Sequence, residues 1–176
     1  MLRHSRSQPD QLALVVPTLS ADGASYTEDT LTFGKLGRRV SQAMAGLEAQ
    51  GLKRGDRVVL MAPLSTDLYA LLLGLLGSGL SGVFIDTGMG RDKILQALTD
   101  AHAHAIVTVG DLLKYRWLLR PLWGLKKYSA DSSGWGVRPL SALFAGEGQP
   151  RDAVETSADE HALITFTSGS TGRPKG

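Results

Sequence analysis

The densest concentration of chemistry-bearing residues is the closing decapeptide, Thr167-Ser168-Gly169-Ser170-Thr171-Gly172-Arg173-Pro174-Lys175-Gly176, which follows the apolar run Ala162-Leu163-Ile164-Thr165-Phe166. Gly169 and Gly172 let backbone N–H groups approach anionic oxygens closely and tolerate positive φ. The hydroxyls of Thr167, Ser168, Ser170 and Thr171 add donors. Lys175 supplies a compact, mobile positive charge, and Pro174 narrows the loop's freedom, which lowers the cost of ordering it on a ligand. These residue types in this order make a cradle for a polyphosphate. The stretch is not a Walker A loop, which needs four residues between its glycines and a hydroxyl residue after its lysine. Here two residues separate Gly169 from Gly172, and Gly176 follows Lys175. A dinucleotide fingerprint would open a βαβ unit. A Ser/Gly/Thr linker has similar composition, but the order of residues and the strand before them set this stretch apart.

Such a loop needs a rigid sheet behind it. The chain has 176 residues, 43% hydrophobic and 20% charged, enough for one globular domain with its own core. Leu12 to Val16 reads as a first strand, and the polar stretch Ser20 to Thr30 as a surface turn or hairpin. Thr32 can cap a helix carrying Leu36, Val40, Ala43, Met44 and Leu47 on one face, with Gly51 at its end. Arg57 to Met61 is a β-branched buried strand. Ser65 starts a helix to about Ser78, and Gly82 to Asp86 is the next strand. The Gly-rich turn Asp86 to Gly90 leads to a helix from Arg91 to Ala101, with Ile94, Leu95 and Leu98 inward, then to a strand from Ala105 to Val109. Ala162 to Thr167 is the last strand. This rhythm predicts an α/β fold: a partial doubly wound, mainly parallel sheet with flanking helices.

Charge and composition exclude several classes. Nineteen basic against 17 acidic residues are too balanced for a general nucleic-acid binder. The absence of cysteine rules out disulfides, thiolate nucleophiles and Cys-based metal sites, and is compatible with a reducing cytoplasm. Leu68 to Ile85 carries no charge and reaches the lower limit of a membrane span. Its glycines, and Asp67 and Asp86 at its ends, favour a buried helix running into a buried strand instead. His102 and His104 sit near a helix–strand junction; with no carboxylate pattern to complete a metal site, they read as solvated or capping. Glu155, Asp159 and Glu160 read as a solvated loop.

Residues 111–138 read as a basic and aromatic insert, and residues 145–158 as a polar linker. Between Leu112 and Tyr128 stand five basic residues, Tyr115, Trp117, Trp123 and Tyr128, and no acid. The insert is either a surface loop packing its Trp rings on the core or a peripheral membrane contact through residues 112–128. RNA stacking is a third alternative, weakened by the near-neutral chain.

Residues Thr167 to Gly176 resemble the signature phosphate loop of the adenylate-forming (AMP-binding) superfamily, which includes acyl-CoA synthetases, luciferases and peptide-synthetase adenylation domains. Leu31-Thr32-Phe33-Gly34-Lys35-Leu36 and Gly51-Leu52-Lys53-Arg54-Gly55-Asp56-Arg57-Val58 resemble that family's N-terminal pattern in order and separation. Val83 to Gly90 and the basic insert are most similar to its fatty-acyl ligase-like branch, to which the β-lactone synthetases of bacterial olefin biosynthesis belong.

The resemblance implies carboxylate activation. ATP and a carboxylic acid, a fatty acid in that branch, give an acyl-adenylate and pyrophosphate. Coenzyme A is the usual acceptor, and a hydroxyl replaces it in the β-lactone branch. By the same resemblance Thr167, Ser168, Gly169, Ser170, Thr171, Gly172 and Lys175 hold the ATP phosphates, and Thr171 is a candidate for the Mg²⁺ shell. In the family the adenine pocket, the metal-binding Glu, the ribose-binding Asp and the catalytic Lys all follow the loop. The expectation is therefore an incomplete N-terminal AMP-binding domain over residues 1–176, inactive and poorly soluble alone, with its catalytic residues beyond residue 176. The alternatives are a non-catalytic nucleotide- or polyphosphate-binding module, a pseudogene product, or a fragment of an acyl-adenylate-dependent β-lactone synthetase. The expected location is the cytoplasm, with membrane association through the insert as the variant of that expectation.

Overall fold

The computed structural model describes residues 2–19 and 25–167. A short helix α1 (Leu2–Ser7) precedes strands β1 (Leu12–Leu19) and β2 (Tyr26–Thr32), which pair antiparallel as a separate two-stranded ribbon with Val16 opposite Asp29. The first strand thus runs past Val16 and does not join the parallel sheet, contrary to the strand–helix–strand rhythm expected of it. Pro17 is tolerated because β1 has a partner on one side only, so its missing N–H breaks no second ladder. Thr66 Oγ1 donates to Asp29 Oδ2 at 2.7 Å, which fastens the ribbon to the main body.

Helix α2 (Phe33–Ala49) starts where Thr32 Oγ1 accepts the Lys35 N–H at 3.4 Å. It ends in a Schellman arrangement: Leu52 N–H reaches Leu47 O at 3.1 Å, Gly51 N–H reaches Glu48 O at 2.8 Å, and Gly51 takes φ 69°. A residue with a Cβ is strained there. After strand β3 (Arg57–Met61), helix α3 (Thr66–Gly77) begins under the Ser65 hydroxyl, which accepts the Leu68 N–H at 3.1 Å. It closes the same way, through Leu80 N–H to Leu75 O at 2.9 Å. Strand β4 (Ser81–Ile85) follows. The uncharged run from Leu68 is therefore a helix, a turn and a strand. Among the described residues, no helix is long and apolar enough to cross a membrane.

The chain continues through α4 (Arg91–Asp100), β5 (Ala105–Thr108), α5 (Gly110–Lys114), β6 (Lys126–Ser129), β7 (Arg138–Pro139) and β8 (Leu163–Phe166). Six strands form one sheet in the order β7-β6-β5-β3-β4-β8, and every pair in it is parallel. The stretch read as an insert supplies two of those strands. The alternation signal was hidden there because β6 is a four-residue strand that opens with two lysines, Lys126 exposed and Lys127 half-buried, before the buried Tyr128 and Ser129.

Strand alternation divides the core into two layers. Val58, Leu60, Ala105, Val107 and Tyr128 face α2 and α3. Val59, Val83, Ile85, Ile106 and Phe166 face α4 and the segment around Leu113, Leu119 and Leu122. Helices on both faces are what an all-parallel sheet requires, because both faces are apolar.

Candidate functional site

The last strand carries the candidate loop. β8 lies at one edge of the sheet, parallel to β4, with Leu163 opposite Gly82 and Phe166 opposite Ile85. Its N-terminal end is fixed by Gly82 N–H to Ala162 O at 3.0 Å and by the Ser81 hydroxyl donating to His161 O. Phe166 is buried, and Thr167, the first residue of the loop, is exposed at the carboxyl end of the strand. Ser168, Gly169, Ser170, Thr171, Gly172 and Lys175 lie outside the described residues.

The neighbouring turn ends at the same place. Asp86 N–H points to Phe166 O at 3.4 Å, so the turn after β4 starts beside the loop after β8. That turn is a short 3₁₀ segment, Thr87–Met89. The Asp86 carboxylate accepts the Gly88 N–H at 2.8 Å, and Gly90 takes φ 83° before α4 begins. Asp followed two residues later by Gly is a turn signal legible in the sequence. The chain leaves β3 for α3 on one face and β4 for α4 on the other. The connections after β3 and β4 thus leave the sheet on opposite faces at its carboxyl end, the end at which open α/β sheets place their ligands.

The approach to β8 is strapped to the body from residue 145 onward. Arg151 pairs with Glu48 at 2.7 Å, and Asp152 with Arg6 at 2.7 Å. Val154 N–H reaches Gly77 O at 2.8 Å. Arg54 Nε donates to Glu160 Oε2 at 3.0 Å. The Glu160 carboxyl is held down at about 2, first by this hydrogen bond and then by the Ser157 N–H. Glu160 is thus paired, where the sequence suggested a solvated acidic edge; nothing in the sequence marks Arg54 as its partner. The segment read as a linker is a fixed strap that lays β8 against β4.

The histidines serve local structure. His104 Nδ1 accepts the Arg57 N–H at 3.2 Å, and its Nε2 lies 3.4 Å from Asp56 Oδ1. His102, at φ 47°, forms the turn between α4 and β5. Among the described residues no three His, Asp or Glu side chains group as metal ligands.

Comparison with known proteins gives concordant results. The chain matches the AMP-binding enzyme family over residues 2–176. It is 33% identical to an olefin beta-lactone synthetase of Xanthomonas campestris, over 99% of this chain and 32% of that protein. It is 28% identical to a long-chain-fatty-acid–CoA ligase of Mycobacterium tuberculosis, over 94% and 33%. It thus spans about a third of the length of these curated relatives. Among solved structures it superposes on acetoacetyl-CoA synthetase from Streptomyces lividans with a TM-score of 0.80 at 21% identity, covering 98% of this chain and 28% of that one. A putative long-chain-fatty-acid CoA ligase from Rhodopseudomonas palustris gives 0.78 at 24%, covering 98% and 41%. At these identities the superpositions speak for the fold.

Proposed function

The chain belongs to the AMP-binding enzyme family, and from that premise we propose that it is the phosphate-gripping part of an ATP-dependent, carboxylate-activating ligase. Its domain is the N-terminal portion of the adenylate-forming unit. In the proposed reaction a carboxylate oxygen attacks the α-phosphorus of ATP. The new O–P bond forms as the bond to the bridging oxygen breaks, and pyrophosphate leaves with the electron pair. Backbone N–H groups at Gly169 and Gly172, the hydroxyls of Thr167, Ser168, Ser170 and Thr171, and the Lys175 ammonium hold the β- and γ-phosphates. They act by positioning and by stabilising charge on the departing pyrophosphate. Mg²⁺, when bound, would shield polyphosphate charge; Thr171 is the residue we assign toward it, as the family resemblance implies.

The observation that carries this reading is the delivery of Thr167 to the carboxyl end of a parallel strand, beside the Asp86–Gly90 turn. The name of the Mycobacterium relative supports a fatty-acid-like substrate with coenzyme A as acceptor, and that of the Xanthomonas relative an intramolecular hydroxyl as the other acceptor. Contact of residues 112–128 with a lipid surface, where such an acid would be met, belongs to the same proposal, as does a cytoplasmic location. A second reading is a polyphosphate-binding module that does not turn over.

Titration calorimetry of the 176-residue chain with MgATP and with magnesium pyrophosphate tests the grip. Binding is expected, with Lys175→Ala and Thr171→Ala each weakening it about ten-fold, in line with the loss of a charge-assisted contact. Equal affinity in both variants would sink the proposal. Carboxylate-dependent pyrophosphate exchange by the longer enzyme, lost in the same variants, separates the ligase from the non-catalytic module.

A further inference from the structure

Among the described residues, five exposed large apolar side chains lie from Tyr115 to Trp135. All three tryptophans of the chain are exposed: Trp117 at 60%, Trp123 at 58% and Trp135 at 79%. Leu118 beside them is 79% exposed, and Tyr115 is exposed as well. The segment's core anchoring is done by Leu113, Leu119 and Leu122, each buried. The reading in which the Trp rings pack on the core is thereby excluded; the leucines point in and the indoles point out.

The three tryptophans are drawn together. The Trp117 and Trp135 centroids lie 5.5 Å apart, although β6 comes between them in the chain. The Trp123 indole N–H donates to Trp117 O at 3.2 Å. Arg116 sits 5.3 Å from the Trp117 ring and donates to Leu113 O at 2.9 Å and to Trp135 O at 2.7 Å. It is a positioning residue that ties the two halves together. Arg120 lies 6.0 Å from the Trp123 ring. Lys127 belongs to the same positive neighbourhood; burial, and then the charge of Arg116, hold its ammonium group below the usual lysine value. No acidic residue occurs from Leu112 to Tyr128. Exposed aromatic clusters of this size mark interaction surfaces. Asp131 stands between β6 and Trp135 in the chain, and Asp111 is paired with Lys114. With Arg116, Arg120, Lys126 and Lys127 the segment keeps a basic excess, and indole and phenol rings beside such an excess complement an anionic headgroup layer.

We propose that the face formed by Tyr115, Trp117, Leu118, Trp123 and Trp135 docks peripherally on an anionic lipid bilayer. The rings and Leu118 enter the headgroup region, and Arg120 meets lipid phosphates. The inference deepens the lipid-surface part of the proposed function and rests on it for purpose. Vesicle binding is read without nucleotide or turnover, so failure here leaves the phosphate grip standing, and failure of the grip leaves the docking face standing.

Flotation of the 176-residue chain through a density gradient tests it, because aggregates sink while vesicle-bound protein rises. With vesicles of phosphatidylglycerol and phosphatidylcholine the chain is expected to float; with phosphatidylcholine alone, recovery falls several-fold. Trp117→Ser with Trp135→Ser is expected to lower anionic-vesicle recovery about ten-fold, and Arg120→Glu to lower it at low salt. Tyr26→Ser, an exposed aromatic on the ribbon, should float as wild type does. Because every tryptophan of the chain lies in the face, wild-type emission should shift to the blue and be quenched by brominated lipid, a readout that depends on no variant's folding. Three results would overturn the proposal: no anionic-lipid-dependent flotation or quenching, full flotation of a folded double-Trp variant, or emission already blue-shifted without lipid. The last would mean that another copy or further polypeptide covers the rings.

Discussion

Arg54 and Glu160 stand 106 positions apart and meet through two guanidinium–carboxylate contacts, one at 3.0 Å and one at 2.5 Å. Arg54 precedes β3 and Glu160 precedes β8, so one bidentate pair sets where the edge strand begins. A planar fork matches a carboxylate as a lysine cannot. The Glu160 carboxyl is depressed to about 2 in the folded chain. Stability from this pair is therefore fully present above the ordinary carboxylate value and is lost as pH falls toward about 2. Glu160→Gln should lower the urea midpoint at neutral pH and shallow its fall between about pH 5 and pH 2. The pair is partly exposed, so the difference should shrink in high salt. Parallel midpoint-against-pH curves for the two proteins would refute this.

Helices α2 and α3 touch through a glycine. A Cβ at Gly74 would lie 2.7 Å from the Ala43 Cβ. In an open helix Gly→Ala gains about 1 kcal/mol; here overpacking of about 1–3 kcal/mol opposes it. Gly74→Ala is expected to lower the urea midpoint, and Ala43→Gly added to it should recover part of the loss. A raised midpoint in the single variant would show that the helices separate freely.

Tyr128 is buried on β6, and its hydroxyl has no hydrogen-bond partner among the described residues. Burial raises its ionisation above the usual phenol value, and the Arg138 charge partly offsets that. An unpaired buried hydroxyl costs about 1–3 kcal/mol, so Tyr128→Phe should leave stability equal or higher. A loss above about 1 kcal/mol in denaturant titration would reveal a partner for that hydroxyl.

Asp86 shapes the turn beside Thr167 by accepting the Gly88 N–H. Asp86→Asn keeps an acceptor and should preserve MgATP affinity. Asp86→Ala removes it, at about 1 kcal/mol for a lost cap, and should weaken MgATP binding several-fold by unsettling the mouth of the proposed site. Equal affinity in Asp86→Ala would separate the turn from the nucleotide.

Local signals carried much of this protein. Thr32 and Ser65 as caps, Gly51 as a helix stop, the β-branched run at Val58 and the helical face of Leu36, Val40, Ala43, Met44 and Leu47 each depend on neighbours within a turn or two, so their spacing suffices to read them. The order of glycines, hydroxyls and lysine in the closing decapeptide is likewise a matter of consecutive residues, but the polyphosphate grip read from it is a proposal, and residues 168–176 lie outside the described residues. The hairpin around residues 20–30 was legible too, though not that β1 and β2 stand apart from the main sheet. The sheet strands hidden in a basic stretch, the Arg54–Glu160 strap and the convergence of Trp135 on Trp117 were not readable. Each joins residues far apart in the chain, and such contacts exist only after the sheet has stacked its strands in an order that no local pattern encodes.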